Sequence, residues 1–146
     1  MEIEISKAKQ EDFSYIQEKI EKFLLDSTNI DWKQFFVARI RGKKIVSFGR
    51  IINHGDFFEI ASLGVDYYHR RRGIGRSMLA FLVEEARRMD IKKPIYGVTH
   101  LEQFLATCGF IRVKDNYPEY LNYKRKYICR LDESKISVMK WSDGLA

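Results

Sequence analysis

Only two cysteines and two prolines occur among the 146 residues, and each scarcity removes a class of protein. Cys108 and Cys129 stand too far apart for a CxxC motif, and His54, His69 and His100 do not gather around them. Neither a disulfide framework nor a metal site is therefore expected. With so little proline and no low-complexity run, the balance of residues is that of a globular chain rather than a disordered one. No apolar stretch approaches a membrane span, and the alternating acidic start Met1-Glu2-Ile3-Glu4-Ile5 has no basic or apolar export region. These absences lead us to expect a cytoplasmic protein with no membrane partner. The length fits one core and not two, so residues 1–146 are expected to form a single domain.

Charge is plentiful. Lysine and arginine number 26 against 20 acidic residues, a net charge of +6, which favours an anionic partner: nucleic acid, a membrane surface or a phosphorylated small molecule. The densest basic clusters are His69-Arg70-Arg71-Arg72 and Lys124-Arg125-Lys126. On composition alone each reads as a solvated surface. No helix-turn-helix, zinc or RNP pattern accompanies them, which ranks a nucleic-acid partner last.

Periodicity supplies the organisation. Glu2 to Ser6 alternates as a short strand, and Phe13, Ile16, Ile20, Phe23 and Leu24 then recur at helical spacing, predicting one or two amphipathic helices. From Phe35 to Leu63 the period falls to two, punctuated by Arg41-Gly42-Lys43 and Asn53-His54-Gly55-Asp56, as in an antiparallel meander. The helical period returns at Ile74, Met78, Leu79, Leu82, Val83 and Ala86, a stripe wide enough to pack on a sheet. Ile95 to Val98 predicts a strand, and Leu101, Phe104, Leu105 and Cys108 a short helix capped by Gly109. Phe110 to Val113 and Leu121 to Leu131 read as a final strand pair, with Ile136, Val138, Met139 and Trp141 tying down the tail. The predicted order is β-α-α-β-β-β-α-β-α-β-β, an α+β domain.

The segment Arg70-Arg71-Arg72-Gly73-Ile74-Gly75-Arg76-Ser77 lies where a strand runs into the longest helix. N–H groups at a helix start are unpaired and carry the positive end of the dipole, and glycines admit a phosphate without an intervening Cβ. The P-loop pattern GxxxxGK(S/T) is absent, and Met78 stands where a dinucleotide GxGxxG needs its third glycine. Two readings stay open on the residues alone: a tight turn beside solvated arginines, or an anion site.

The spacing Arg70-x-x-Gly73-x-Gly75 resembles the signature Arg/Gln-x-x-Gly-x-Gly/Ala of the GNAT superfamily of acetyl-CoA-dependent N-acetyltransferases. The likeness extends over nearly the whole chain, through the strand Phe57 to Val65 leading into the loop and the later Ala106-x-x-Gly109-Phe110 pattern. It implies the GNAT fold, a central mixed, mostly antiparallel sheet with helices on both faces. Acetyl-CoA is then the co-substrate, with no metal, and the acceptor is a small-molecule amine. The resemblance places the CoA pyrophosphate on the N–H groups of about Arg71 to Ser77, with Arg70, Arg71, Arg72 or Arg76 supplying charge; planar guanidinium groups suit phosphate. It also sets pantetheine along Leu63, Gly64 and Val65, the Leu63 N–H polarising the thioester carbonyl.

Acetyl transfer needs a neutral amine, whereas an alkyl amine with a pKa near ~10.4 arrives protonated. Glu59 lies where many GNAT enzymes carry a base glutamate. A strict period of two puts it on one face with Ala61 and Leu63, where burial raises its pKa toward neutrality. The alternative is an ion pair with a neighbouring Arg or Lys such as Arg50 on the adjacent strand. The tyrosine that protonates the departing thiolate in many relatives is replaced by Leu105, leaving Tyr117, Tyr120, Tyr123 or solvent. Cys108 reads as a small core residue, and His100 as a polar candidate beside the acceptor. The segment Leu121-Asn122-Tyr123-Lys124-Arg125-Lys126 resembles amino-acid N-acetyltransferases that make N-acetylglutamate, which suggests an amino acid such as glutamate. A charged edge strand is the bland alternative. A protein N-terminal or lysine acetyltransferase, a non-catalytic CoA-binding module, and assembly as a homodimer also stay open.

Overall fold

The computed structural model describes residues 2–129 and 131–142. The alternating start forms β1 (Ile3–Lys7), and after one 3-10 turn comes helix α1 (Phe13–Lys22). The Phe-, Ile- and Val-rich runs become the meander β2 (Phe35–Ile40), β3 (Lys44–Asn53) and β4 (Phe58–Val65). Next come the long helix α2 (Ile74–Met89), β5 (Ile95–Thr99), the short α3 (Glu102–Thr107) and β6 (Phe110–Arg112). Helix α4 (Glu119–Tyr123) runs on as a π-helical turn over Lys124–Ile128, and β7 (Ser137–Trp141) follows.

The strands form one sheet in the order β1-β2-β3-β4-β5-β7-β6. All neighbours are antiparallel except β4 and β5. Every residue of the predicted α2 stripe is buried, and the stripe covers Phe36, Ala38, Val46, Ile51 and Ile60 on one face of the sheet. Removing the side chain of a buried leucine such as Leu82 typically costs about 2–5 kcal/mol, so this single contact is a large part of a small domain's stability. On the other face, Ile16 and Ile20 of α1 pack against Phe35, Val37 and Phe48, and Leu121 of α4 packs beside Phe57, Tyr96 and Val138. The result is an α+β sheet, mixed and mostly antiparallel, with helices on both faces. No described helix is long and apolar enough to cross a membrane.

Three expectations are corrected. The first helical stretch holds a single α-helix, and Leu24 lies beyond its end, left-handed at φ 57° and exposed. Leu121 to Ile128 is helical, not a strand: Leu121, Lys124 and Ile128 fall at spacings of three and four, so one side turns inward. The partner of the strand at Phe110 is in turn not Leu121 to Leu131 but the tail. Its Val138 and Met139 are buried in β7, which lies between β5 and β6 and supplies the partner that Phe110, Ile111 and Arg112 lacked. A short strand buried on both faces alternates too weakly to announce itself in sequence.

Candidate active site

Strands β4 and β5 pair only at Phe58↔Ile95 and Glu59↔Tyr96 and then diverge. The divergence has a local cause on the other edge of β4. There Arg50 opposes Ala61 and Phe48 opposes Gly64, so Ser62 and Leu63 together face Gly49. Ser62 takes the left-handed φ of 54°, and the extra residue bends and twists the strand. The bulge also resets the alternation. Leu63 joins the α2 face, packed on that cluster, while Gly64 turns to the α1 face, where a Cβ would stand 2.6 Å from Phe48 Cζ. Glu59 and Leu63 are thus not on one face, contrary to the strict period of two.

The diverging strands frame a cleft of about 450 Å³ lined mainly by apolar side chains. Ile60 to Leu63 form one wall and Gly97 to Leu101 the other, with Leu79, Phe104 and Leu105 at the α2 and α3 side. Beyond β4, its boundary passes through Asp26, Ser27, Thr28, Lys124, Ile128 and Cys129.

At the start of α2, Gly73 is left-handed at φ 81° and the first helical hydrogen bond runs from the Ser77 N–H to the Gly73 carbonyl. The Ser77 N–H is therefore engaged, whereas the N–H groups of Arg71 to Arg76 have no partner among the described residues. Arg71, Arg72, Arg76 and Ser77 are exposed, and Ile74 is buried, offering only its backbone. Gly75 lies beside Val65 and Phe104, where a Cβ would make ordinary contacts at 3.4 and 3.5 Å. Arg70 is tied into the loop: Nε donates to the Val65 carbonyl at 3.0 Å and the guanidinium lies 4.8 Å from the Phe23 ring. Unpaired amides, a helix dipole and exposed guanidinium groups are together what binding of an anion such as a diphosphate requires.

On the α1 face of β4 lies a buried ionic cluster. Glu59 is fully buried; Oε1 meets His54 Nε2 at 2.9 Å and Oε2 accepts from Lys124 Nζ. Lys124 Nζ also reaches Asp26 Oδ2 at 2.8 Å. Arg50, with no exposed surface, donates from Nε to Ser62 Oγ at 2.9 Å and from Nη1 to Gln34 Oε1 at 2.9 Å, and approaches Asp26 Oδ2 at 3.4 Å. Burial pushes the Glu59 carboxyl up, but the His54 hydrogen bond and the Lys124 ammonium outweigh it and hold the group below its ordinary range. Asp26 is lowered likewise, burial being overcome by the Lys124 ammonium and the Thr28 hydrogen bonds. Lys124 is raised because Glu59 and Asp26 outweigh its own desolvation. The expected upward shift at Glu59 is thereby overturned; the alternative, an ion pair with a neighbouring basic residue, is what forms, with Lys124 rather than Arg50 as the cation and His54 as a second partner.

Glu59 does not itself border the cleft; Lys124 and Asp26 do. Leu63 and Leu105 line it, and so does the exposed His100. None of Tyr117, Tyr120 and Tyr123 is on its wall. Tyr117 donates to Asn122 Oδ1 at 3.2 Å and Tyr120 packs against His54. Arg125 is held by the Glu133 carbonyl at 2.9 Å and Asn122 at 3.2 Å. Cys108 packs against the core as expected. Sequence reasoning missed Asp26 and the inward turn of Lys124. The helical spacing of Leu121, Lys124 and Ile128 was the available signal for the second, and nothing but an Asp-Ser-Thr turn pattern marked the first. Among the described residues no group of three or more His, Cys, Asp or Glu could hold a metal ion.

None of the curated proteins matches the chain. Its fold is similar to that of N-acetylglutamate synthase from Neisseria gonorrhoeae, solved with coenzyme A and N-acetyl-glutamate, at a TM-score of 0.76 and 17% identity over 97% of this chain. The chain spans only 35% of the length of that enzyme. Rv2747 from Mycobacterium tuberculosis, solved with CoA and NLQ, gives a TM-score of 0.72 at 20% identity, covering 94% of this chain and 98% of that one. Escherichia coli ElaA gives 0.70 at 17% identity, covering 97% and 100%. The model of the acetyltransferase (GNAT) family matches residues 3–113, most of the chain and all of the splayed strands and loop described above; the chain belongs to the GNAT family of acetyl-CoA-dependent N-acetyltransferases.

Proposed function

We propose that the chain transfers an acetyl group from acetyl-CoA to the primary amine of a small molecule, an amino acid such as glutamate being the leading class, by direct attack in a ternary complex. The observation that carries this reading is the nearness of two features: the unpaired N–H groups of Arg71 to Arg76, and the cleft that opens where β4 leaves β5, whose lining residue Phe104 lies beside Gly75. Pyrophosphate is assigned to those amides with Arg71, Arg72 and Arg76 around them, Gly73 and Gly75 keeping the approach open and Ile74 anchoring the turn. Ser77 contributes its side chain alone, and Arg70 chiefly braces the loop. Acetyl-CoA supplies an activated acyl group as a thioester.

The edge of β4 at Leu63, Gly64 and Val65, unpaired toward β5, is assigned to the pantetheine arm, and the Leu63 N–H to the carbonyl oxygen, where a fixed donor stabilises developing negative charge. Glu59 acts at one remove, keeping Lys124 charged and in place at the cleft wall. An amino-acid acceptor draws support from the N-acetyl-glutamate bound in the Neisseria enzyme. The test is calorimetry with acetyl-CoA followed by mass spectrometry of the products from a panel of amines. An absence of binding heat overturns the reading.

Leu105 in place of the family's tyrosine, and the absence of tyrosine from the cleft wall, favour a second reading: a module that binds CoA without turnover. Binding heat without thiol release from any amine would select it. A CoA thiol is acidic enough to leave without a dedicated acid, which is why the enzyme reading ranks first.

A further inference from the structure

Among the described residues only three leucines stand exposed, Leu24, Leu101 and Leu131, at 60%, 52% and 46%, and all three line the cleft. One exposed leucine is ordinary, but three from separate segments on one rim mark a seat for an apolar group. Leu24 is the most telling. The Leu25 N–H donates to the Ile20 carbonyl at 2.9 Å and the Leu24 N–H to the Glu21 carbonyl at 3.3 Å, which sets Leu24 at the left-handed position closing α1, at φ 57°. Glycine or asparagine is usual there, because a larger side chain is strained in that conformation. Ending the helix therefore does not explain the leucine. Its loop is pinned at the cleft from the sheet: the Asp26 carbonyl accepts from Arg50 Nη2 at 3.2 Å and from Ser62 Oγ at 2.6 Å.

The charges point the same way. Lys124 is the one lysine or arginine among the described residues that line the cleft, and Glu59 and Asp26 already pair with it. Arg50 has no exposed surface, and Arg125 is turned to the Glu133 carbonyl. A single α-carboxylate can stay in water at the mouth, beside the exposed His100. A second carboxylate, at the end of a side chain, would leave water for a leucine-lined wall with no unpaired cation to meet it, which is costly. Resting on the acetyltransferase reading above and narrowing its amino-acid class, we propose that the acceptor is an amino acid with a bulky apolar side chain, of leucine or phenylalanine type, seated against Leu24 and Leu131. These two adjoin the segments Asp26 to Thr28 and Lys124 to Cys129 that bound the cleft beyond β4, while Leu101 closes the rim from the β5 wall. The α-nitrogen forms the C–N bond as the C–S bond breaks. Of the ammonium's two surplus protons, one ends on the CoA thiol and the other in solvent.

The experiment measures thiol release, acetyl-CoA binding heat and Tm for wild type, Leu24→Gly and Leu131→Ser, with leucine, phenylalanine, alanine, glutamate and propylamine as acceptors. In wild type, kcat/KM for leucine and phenylalanine should exceed that for alanine by about tenfold or more and that for glutamate by about 100-fold. Leu24→Gly should lower kcat/KM for leucine by about tenfold while leaving alanine and the acetyl-CoA Kd within about twofold. Its Tm should hold or rise, because glycine suits the left-handed φ. A leucine kept for the fold alone would give the reverse, a lower Tm with selectivity unchanged. Leu131→Ser, on a separate segment, should show the same selective loss. Wild type that prefers glutamate, alanine or propylamine overturns the acceptor class and leaves the transferase reading standing. So does a loss in the variants that is equal on all acceptors or appears in the acetyl-CoA Kd. Binding heat with no thiol release from wild type on any of the five amines overturns the transferase reading, and the acceptor class with it.

Discussion

At the scale of single residues, the chain gathers a buried set of charges whose signs balance: Asp26 and Glu59 against Lys124 and Arg50. Each is tolerable only because the others are present, since breaking one member of a buried pair typically costs about 3–5 kcal/mol. Glu59→Gln should accordingly lower stability by an amount of about that order in urea unfolding, and should reduce turnover more than acetyl-CoA affinity, because it disturbs Lys124 and not the loop. The same cluster sets the acid limit of the fold. With Glu59 and Asp26 held below their ordinary values of 4.5 and 3.8, their contribution is complete above that range and is lost as pH falls through the lowered values. At the alkaline end, burial, with Asp66 and Glu18 adding to it, pushes the Tyr15 hydroxyl up from 10.0 to about 12. Its share of stability is full below 10.0, as for a group whose neutral form is favoured, and disappears between there and about 12. Lys124, raised above 10.5, fades over the same alkaline region. Thermal melts across the pH range should show a plateau bounded by these two declines.

At the scale of elements, the helix start and the bulge shape the candidate site. Gly73 and Gly75 look equivalent in the motif but differ in what they tolerate. Gly73 is left-handed, so Gly73→Ala should cost about 1 kcal/mol in stability. Gly75→Ala meets only ordinary contacts and should leave stability within about 0.5 kcal/mol. Both should weaken acetyl-CoA binding in calorimetry, since either methyl intrudes on the amides. Much of this level was legible in the sequence. The α2 stripe was read residue by residue, and the meander and glycine loop fell where periodicity and punctuation put them. The left-handed Gly73 at the start of the helix also fell where the glycine pattern put it. What stayed hidden depended on long-range contacts. The bulge at Ser62 and Leu63 needs Gly49 across the ladder, the helical form of Leu121 to Ile128 needs the pocket that receives Lys124, and β7 needs both of its neighbours. Asp26 lies on a loop whose sequence is that of any turn, and only Arg50 and Ser62 pin it at the cleft.

At the scale of the whole molecule, part of the positive charge gathers at the start of α2. Arg71, Arg72 and Arg76 stand exposed around the unpaired amides, so attraction for a diphosphate is strong but open to screening. Raising salt from roughly 0.05 M to roughly 0.5 M shortens the Debye length about threefold, and the acetyl-CoA Kd should rise by about tenfold while unfolding midpoints barely move. A site held by apolar contacts alone would show little change. The sheet itself has one narrow waist. Four strands on one side and three on the other are stitched by two parallel rungs, Phe58↔Ile95 and Glu59↔Tyr96. A ligand lying in the gap and bonding to both exposed backbones would act as a splice between the halves, replacing the rungs the strands never made. Deuterium uptake by the amides of Ala61 to Val65 should then be fast in the empty protein and slow in the loaded one, with the molecule growing sturdier as the ligand concentration climbs past its Kd.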